Sequence, residues 1–305
     1  NRIARCKTKA KHDAAGTDRM NDIIQTRLAV YESANEIEEE NATKEIIQEI
    51  ALYGLWRANF FDVAVFQGGT SLRILHQLPR FSEDLDFMLL APDLEFDWGP
   101  YLKVLTATFE EYGLSPETVS KEQMDKRIRN AVIKDNSVAN QLDLSFGRRD
   151  ARKKLKVKLE IDVQPPAHSG DAFTFLDFPV DYEVRHQDLS SNFALKIHAL
   201  LCREYVKGRD WYDFAWYVAQ GIFPNLRHLE AALKQFGPWS DNDDLSVDVT
   251  WLEARLTARI HQINWDDAGS DVRRFLRPIE AESLKLWSNR FFETKVDKLV
   301  AQQPR

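Results

Sequence analysis

Hydrophobic spacing divides this chain into a helical opening, a centre of short apolar runs and a helical remainder. Ile23, Ile24, Leu28, Val30 and Tyr31 recur at helical spacing and predict a helix from Asp22 to about Glu40. Ile46, Ile47, Ile50, Leu52, Leu55 and Trp56 predict a second helix beginning at Thr43, whose hydroxyl would serve as its N-cap. The pattern then shortens. Val63–Phe66 reads as a buried strand closing on Gly68-Gly69, and Ser71–Leu78 as a helix that Pro79 ends. Leu85, Phe87 and Leu89 alternate with Asp84, Asp86 and Met88, which is strand period. A helix near Tyr101–Tyr112 follows, then strands near Asn130–Asp135, Ser137–Phe146 and Leu155–Val163, with Gly147–Lys154 as a hairpin connection. A loop is expected after Pro165-Pro166, and helices from Asn192 onward.

The expected organisation is an N-terminal helical extension over 1–44, an α+β domain over 45–185 and a helical domain over 186–305. The first twenty residues are polar and mildly basic, without hydrophobic period. In the 305 residues, 44% apolar and 29% charged content excludes wholesale disorder. Only Cys6 and Cys202 occur, so a disulfide framework and a thiolate zinc site are excluded, and a reducing cytoplasmic setting is expected. Cys202 falls on an apolar-rich helix and reads as core, not nucleophile. No apolar run approaches the roughly 20 residues of a membrane span, so no membrane partner is expected. The net charge of −7 argues against coating duplex nucleic acid with the whole surface, but leaves room for a local basic patch.

Candidate chemistry begins at Gln67-Gly68-Gly69-Thr70-Ser71-Leu72-Arg73. A strand, two glycines and a hydroxyl-bearing helix start let backbone amides approach an anion. It is neither a Walker A loop nor a dinucleotide fingerprint, because neither spacing is present. The second element is Arg80-Phe81-Ser82-Glu83-Asp84-Leu85-Asp86-Phe87. On a strand Asp84 and Asp86 share a face, and carboxylates that close repel unless a cation neutralises them. Such a pair suits Mg²⁺ held together with substrate phosphates. Glu160 and Asp162, sharing a face in Lys158–Val163, each offer a third carboxylate, as a two-metal phosphoryl-transfer centre requires. No His-x-x-x-His pair or Gly-x-Ser-x-Gly elbow supports zinc or serine hydrolysis.

Together these motifs resemble the DNA polymerase β-like nucleotidyltransferase superfamily, and within it the AbiEii/AbiGii toxin family. Phe66–Arg73, Arg80–Phe87 and the later Leu195-Lys196-Ile197-His198-Ala199-Leu200, Arg203 and Arg209-Asp210-Trp211-Tyr212-Asp213 carry the likeness, which spans about residues 45–220. The resemblance implies a mixed sheet flanked by helices, and transfer of NMP from an NTP to an acceptor hydroxyl. In it Asp84, Asp86 and Glu160 or Asp162 would hold two Mg²⁺ ions, the third carboxylate helping to activate the acceptor. Gly68, Gly69, Thr70, Ser71 and Arg73 would bind the nucleotide, together with Lys196, Arg203 and Asp213. Lys196 and Asp210 would also be catalytic. It further implies a toxin of a type IV toxin–antitoxin system, with an RNA acceptor such as tRNA and a cognate antitoxin.

On one helix, Lys196, Arg203, Lys207 and Asp210 would form a narrow stripe suited to a triphosphate, with Asp213 further round and Gly208 a break. Lys196 is expected at the surface, where truncation costs less than about 1 kcal/mol. The basic run Arg148–Lys158 leads into the strand of Glu160. In it Arg152, Lys153 and Lys154 are expected to grip RNA phosphates. The alternatives are a silent nucleotide-binding regulator and a metal-dependent glycosyltransferase, which also uses Asp-x-Asp.

Overall fold

The computed structural model describes residues 23–121, 127–135 and 155–304. Residues 1–22 of the N-terminal extension, the strand expected at Ser137–Phe146, the hairpin at Gly147–Lys154 and with it Arg152, Lys153 and Lys154 lie outside the described residues. The fold is α+β. Its strands are β1 (Ala64–Gln67), β2 (Asp84–Leu89), β3 (Pro116–Lys121), β4 (Ile128–Asp135), β5 (Leu155–Asp162), β6 (Asp171–Leu176) and β7 (Tyr182–Gln187). They form one mixed sheet in the order β3-β4-β5-β2-β1-β7-β6. β2 runs parallel to β5, and β4 antiparallel to both β3 and β5.

The chain builds two compact units from their described residues. One comprises Asn1–Ala64, Glu83–Val163 and Phe175–Val184; the other comprises Val65–Ser82, Gln164–Thr174 and Arg185–Arg305. In the first unit, α1 covers residues 23–29 and α2 covers Glu36–Arg57. Thr43 therefore lies inside a helix, not at its start. Asn35 is the N-cap: its side chain accepts from the Glu38 amide at 3.0 Å, and Glu38 answers by accepting from the Ala34 amide at 3.0 Å. The single helix expected from Asp22 to about Glu40 is thus broken between residues 29 and 36, and the Glu-rich stretch opens α2 because acidic residues in a first turn suit the helix dipole. Thr43 instead donates its hydroxyl to the Glu39 carbonyl one turn back. With α4 (Gly99–Glu111), α2 buries Ile46, Ile50, Leu55, Leu105 and Phe109, in a core shared with Leu85, Phe87, Leu159 and Ile161 of β2 and β5. That leaves the opposite parity of both strands for polar residues.

The second unit carries α3 (Gly68–His76), which ends at Gln77 in the left-handed region, two residues before Pro79. The helices α5 (Leu189–Cys202), α6 (Gly208–Ala219), α7 (Leu226–Gln235), α8 (Val249–Ile260) and α9 (Trp265–Arg273) pack around Phe193, Trp211, Phe214, Leu256 and Phe292. Asp188, Asn225, Asp248 and Asn264 cap four of these helices through side-chain oxygens. The single stripe expected from Lys196 to Asp210 is corrected here. α5 stops at Cys202, Arg203 is its C-cap, and Gly208 opens a new helix. Gly208 is where two backbones meet: a Cβ there would lie 1.8 Å from the Ala268 carbonyl oxygen, and its amide donates to Asp271 at 2.9 Å.

Candidate active site

In the first unit, the pairing of β2 with β5 sets Asp84 opposite Lys158, Asp86 opposite Glu160 and Met88 opposite Asp162. Residues in register share a face. Asp84, Asp86 and Glu160 thus stand on one side of the sheet, while Leu85, Phe87, Leu159 and Ile161 fill the core on the other. Lys158 joins the carboxylates and forms an ion pair with Glu160. Partial burial pulls its pKa down, but Glu160, with Asp84 and Asp86 behind it, prevails and raises it, so the ammonium stays charged. Asp162 is engaged differently, accepting from Arg127 Nε at 2.9 Å and Nη2 at 2.7 Å. Among the described residues no three histidine, cysteine or acidic side chains converge as they stand to hold a metal ion.

One strand further over, Asn130 of β4 is in register with Glu160, extending the row Asp86–Glu160–Asn130. It is only 1% exposed, and among the described residues neither its amide nitrogen nor its oxygen has a hydrogen-bond partner. An unsatisfied buried polar group costs about 1–3 kcal/mol. Asn130→Leu, of similar volume, is therefore expected to raise the melting temperature, a change read by thermal denaturation. A lower melting temperature would mean that the carboxamide is paired in solution.

In the second unit, the turn from β1 into α3 is built from two glycines with different tasks. Gly68 has φ +77, a conformation that side chains resist. Asn192 of α5 clamps it, its Oδ1 accepting from the Gly68 amide at 3.2 Å and its Nδ2 donating to Ser71 Oγ at 3.0 Å. Ser71 donates its hydroxyl to the Gly68 carbonyl at 2.8 Å, so this hydroxyl serves the turn itself. Gly69 is small for another reason. A Cβ there would lie 2.3 Å from Nη2 of Arg80. Thr70 is buried in the first turn. Arg73 folds back, donating to the carbonyls of Leu78 at 3.0 Å and Pro79 at 3.2 Å and lying over the Phe81 ring.

The same unit holds a chain of alternating charges. Arg80 donates from Nε and Nη2 to the two oxygens of Asp213, each at 2.6 Å, with both side chains essentially buried. Lys196 Nζ lies 2.9 Å from Asp213 and 2.8 Å from Asp210. Arg203, 37% exposed, completes the row on the other oxygen of Asp210. Three cations thus share two carboxylates, leaving one positive charge in excess. Burial alone would push Asp210 up, but Lys196 and Arg203, with Arg80 behind, hold it below the usual carboxylate range. Burial likewise opposes the Lys196 charge, and Asp210 and Asp213 outweigh it. Lys196 is only 12% exposed, so its expected surface position is corrected. The sequence pattern puts Lys196, Asp210 and Asp213 apart; folding brings them together.

Arg80, Lys158, Asn130 and Asn192 were not singled out by the sequence. Arg80 stood inside a quoted motif, yet nothing local marked it as buried. Cys202, half-buried at the end of α5, has its thiol pushed up to about 11 by burial, against any nucleophilic role.

Carboxylates gathered on one sheet face suit phosphoryl chemistry, and this protein is a nucleotidyltransferase. A family model described as nucleotidyl transferase AbiEii toxin of type IV toxin–antitoxin systems matches residues 50–298, and the chain belongs to that family. A candidate nucleotidyltransferase from H. pylori is similar at 17% identity and a TM-score of 0.47, covering 83% of this chain and 94% of its own. JHP933 from Helicobacter pylori is similar at 16% identity and a TM-score of 0.44, covering 87% of this chain and 90% of its own. No curated protein sequence matches. Among the described residues no helix is long and apolar enough to cross a membrane.

Proposed function

We propose that this toxin transfers a nucleoside monophosphate from an NTP to a hydroxyl of an RNA, with tRNA the acceptor suggested by the family likeness. The observation that carries the reading is the register of Asp84 and Asp86 with Glu160 on one sheet face. The oxygen-only donor set of Asp84 and Asp86 fits Mg²⁺, which proteins commonly hold by one or two carboxylates completed by substrate phosphates. When bound, the cation would neutralise phosphate charge. The pair suffices for one ion. A second would require Glu160 to leave Lys158, and Asp162 is the weaker third ligand because Arg127 already holds it.

In this reading Glu160 receives the proton of the acceptor hydroxyl as it attacks the α-phosphorus, and pyrophosphate leaves. The start of α3 at Gly69 and Thr70 serves the phosphates, as helix N-termini do for anions. Lys196 and Arg203 supply cationic charge, and Asp210 and Asp213 orient Lys196. Ser71 and Arg73, given to the nucleotide from sequence, are assigned instead to holding the turn. Arg152, Lys153 and Lys154 are proposed for RNA phosphates, and an antitoxin is the expected protein partner. The glycosyltransferase alternative falls with the family assignment.

The test is incubation of the protein with each labelled NTP, total RNA and Mg²⁺. Label covalently in RNA supports the reading and identifies both base and acceptor. NTP binding without labelled product would instead favour the silent regulator.

A further inference from the structure

Arg80 touches both pieces of the second unit that the proposed function gives to the triphosphate. Its Nη2 lies where a side chain at Gly69 would be, directly beneath the glycine turn. Its Nε and Nη2 grip both oxygens of Asp213, and Asp213 in turn holds Lys196. Nη1 donates to the Phe81 carbonyl at 3.0 Å, so each arm of the guanidinium is committed. The group is buried, 3% exposed, and cannot itself reach a ligand. What it can do is fix two things at once: the height of the turn that presents the Gly69 and Thr70 amides, and the share of Asp213 that Lys196 receives.

That share matters electrostatically. With Arg80 in place, Asp213 divides its charge between a guanidinium and an ammonium. Without Arg80, the wholly buried Asp213 has Lys196 as its remaining cation, and the ammonium would be drawn onto it. A lysine neutralised by its own aspartates attracts a polyanion weakly; one held by carboxylates that are already satisfied keeps an excess of positive charge. From this we infer that Arg80 is a positioning residue for triphosphate binding, acting through Asp213 on Lys196 and through Gly69 on the α3 amides. The inference rests on the proposed role of Lys196.

The experiment measures binding of inorganic tripolyphosphate with Mg²⁺ by titration calorimetry on the full chain, alongside melting temperature. Three variants are compared: Arg80→Lys, the double variant Arg80→Met with Asp213→Leu, and Lys196→Met. Replacing both partners of a buried ion pair by apolar residues of similar size is often neutral, so the double variant is expected to melt within about 3 °C of the parent. Lysine cannot reproduce a bidentate guanidinium, so Arg80→Lys keeps the charge but loses the geometry. The expected result is a loss of at least about tenfold in tripolyphosphate affinity for Arg80→Lys and Lys196→Met, equivalent to about 1.4 kcal/mol, and near-parent affinity for the double variant, where no under-compensated Asp213 is left to draw Lys196 away. Parent affinity in folded Arg80→Lys, or a tenfold loss in the folded double variant, while Lys196→Met loses binding, would overturn the role of Arg80 alone. Parent affinity in Lys196→Met would overturn the underlying reading of Lys196, and with it this inference.

Discussion

Asp84→Asn and Asp86→Asn are each expected to lower nucleotidyl transfer by at least about a hundredfold, the scale seen when one group stabilising transition-state charge is removed. Neither should lower the melting temperature. Asp84, Asp86 and Glu160 stand together on one sheet face, with Lys158 among them. Replacing one carboxylate by its isosteric amide relieves repulsion and leaves the apolar face of β2 untouched. A second readout separates metal binding from chemistry. Mg²⁺ with NTP should raise the melting temperature of the parent by mass action, and raise that of either variant much less. A variant that transfers nucleotide at the parent's rate with Mg²⁺ would remove the metal role from that residue.

Lys196→Ala should lose on two counts. The ammonium lies between Asp210 and Asp213, and breaking one member out of a buried charge network typically costs about 3–5 kcal/mol. Arg80 and Arg203 still hold the two carboxylates, so the expected loss sits near the lower end, about 3 kcal/mol. Denaturant unfolding measures it. NTP affinity should fall as well, because the excess positive charge of the cluster disappears with the lysine. A stability change under about 1 kcal/mol, normal for surface substitutions, would mean that the buried pairing is absent in solution.

The strand of Asp84 and Asp86 was legible because alternation is a local property. Leu85, Phe87 and Leu89 demand a core, and the residues between them must face away. Its partner β5 was legible for the same reason, and the register then followed only from the fold. Thr43 misled because the acidic run before it looked like a break, whereas Asn35 and Glu38 form a reciprocal cap eight residues earlier. β6 and β7 were read as loop: β7 buries His186 and Gln187 beside Tyr182 and Val184, so its polar residues hid its burial. Arg80 could not have been found locally, since its partner Asp213 lies 133 residues away. Lys158 was concealed by company, one lysine in a basic run, until pairing set it opposite Asp84.

The closeness of Gly69 to Arg80 also bears on how such sequences diverge. Gly69 is small because a guanidinium, pinned by Asp213, occupies the space its side chain would need. Alanine at position 69 therefore becomes tolerable only after position 80 has shortened, and that step leaves Asp213 in want of a new counter-charge. The three positions constrain one another in a fixed mutational order, with single steps blocked and compensated steps open. In an alignment of relatives they should vary as a block, glycine with arginine and aspartate, or none of the three.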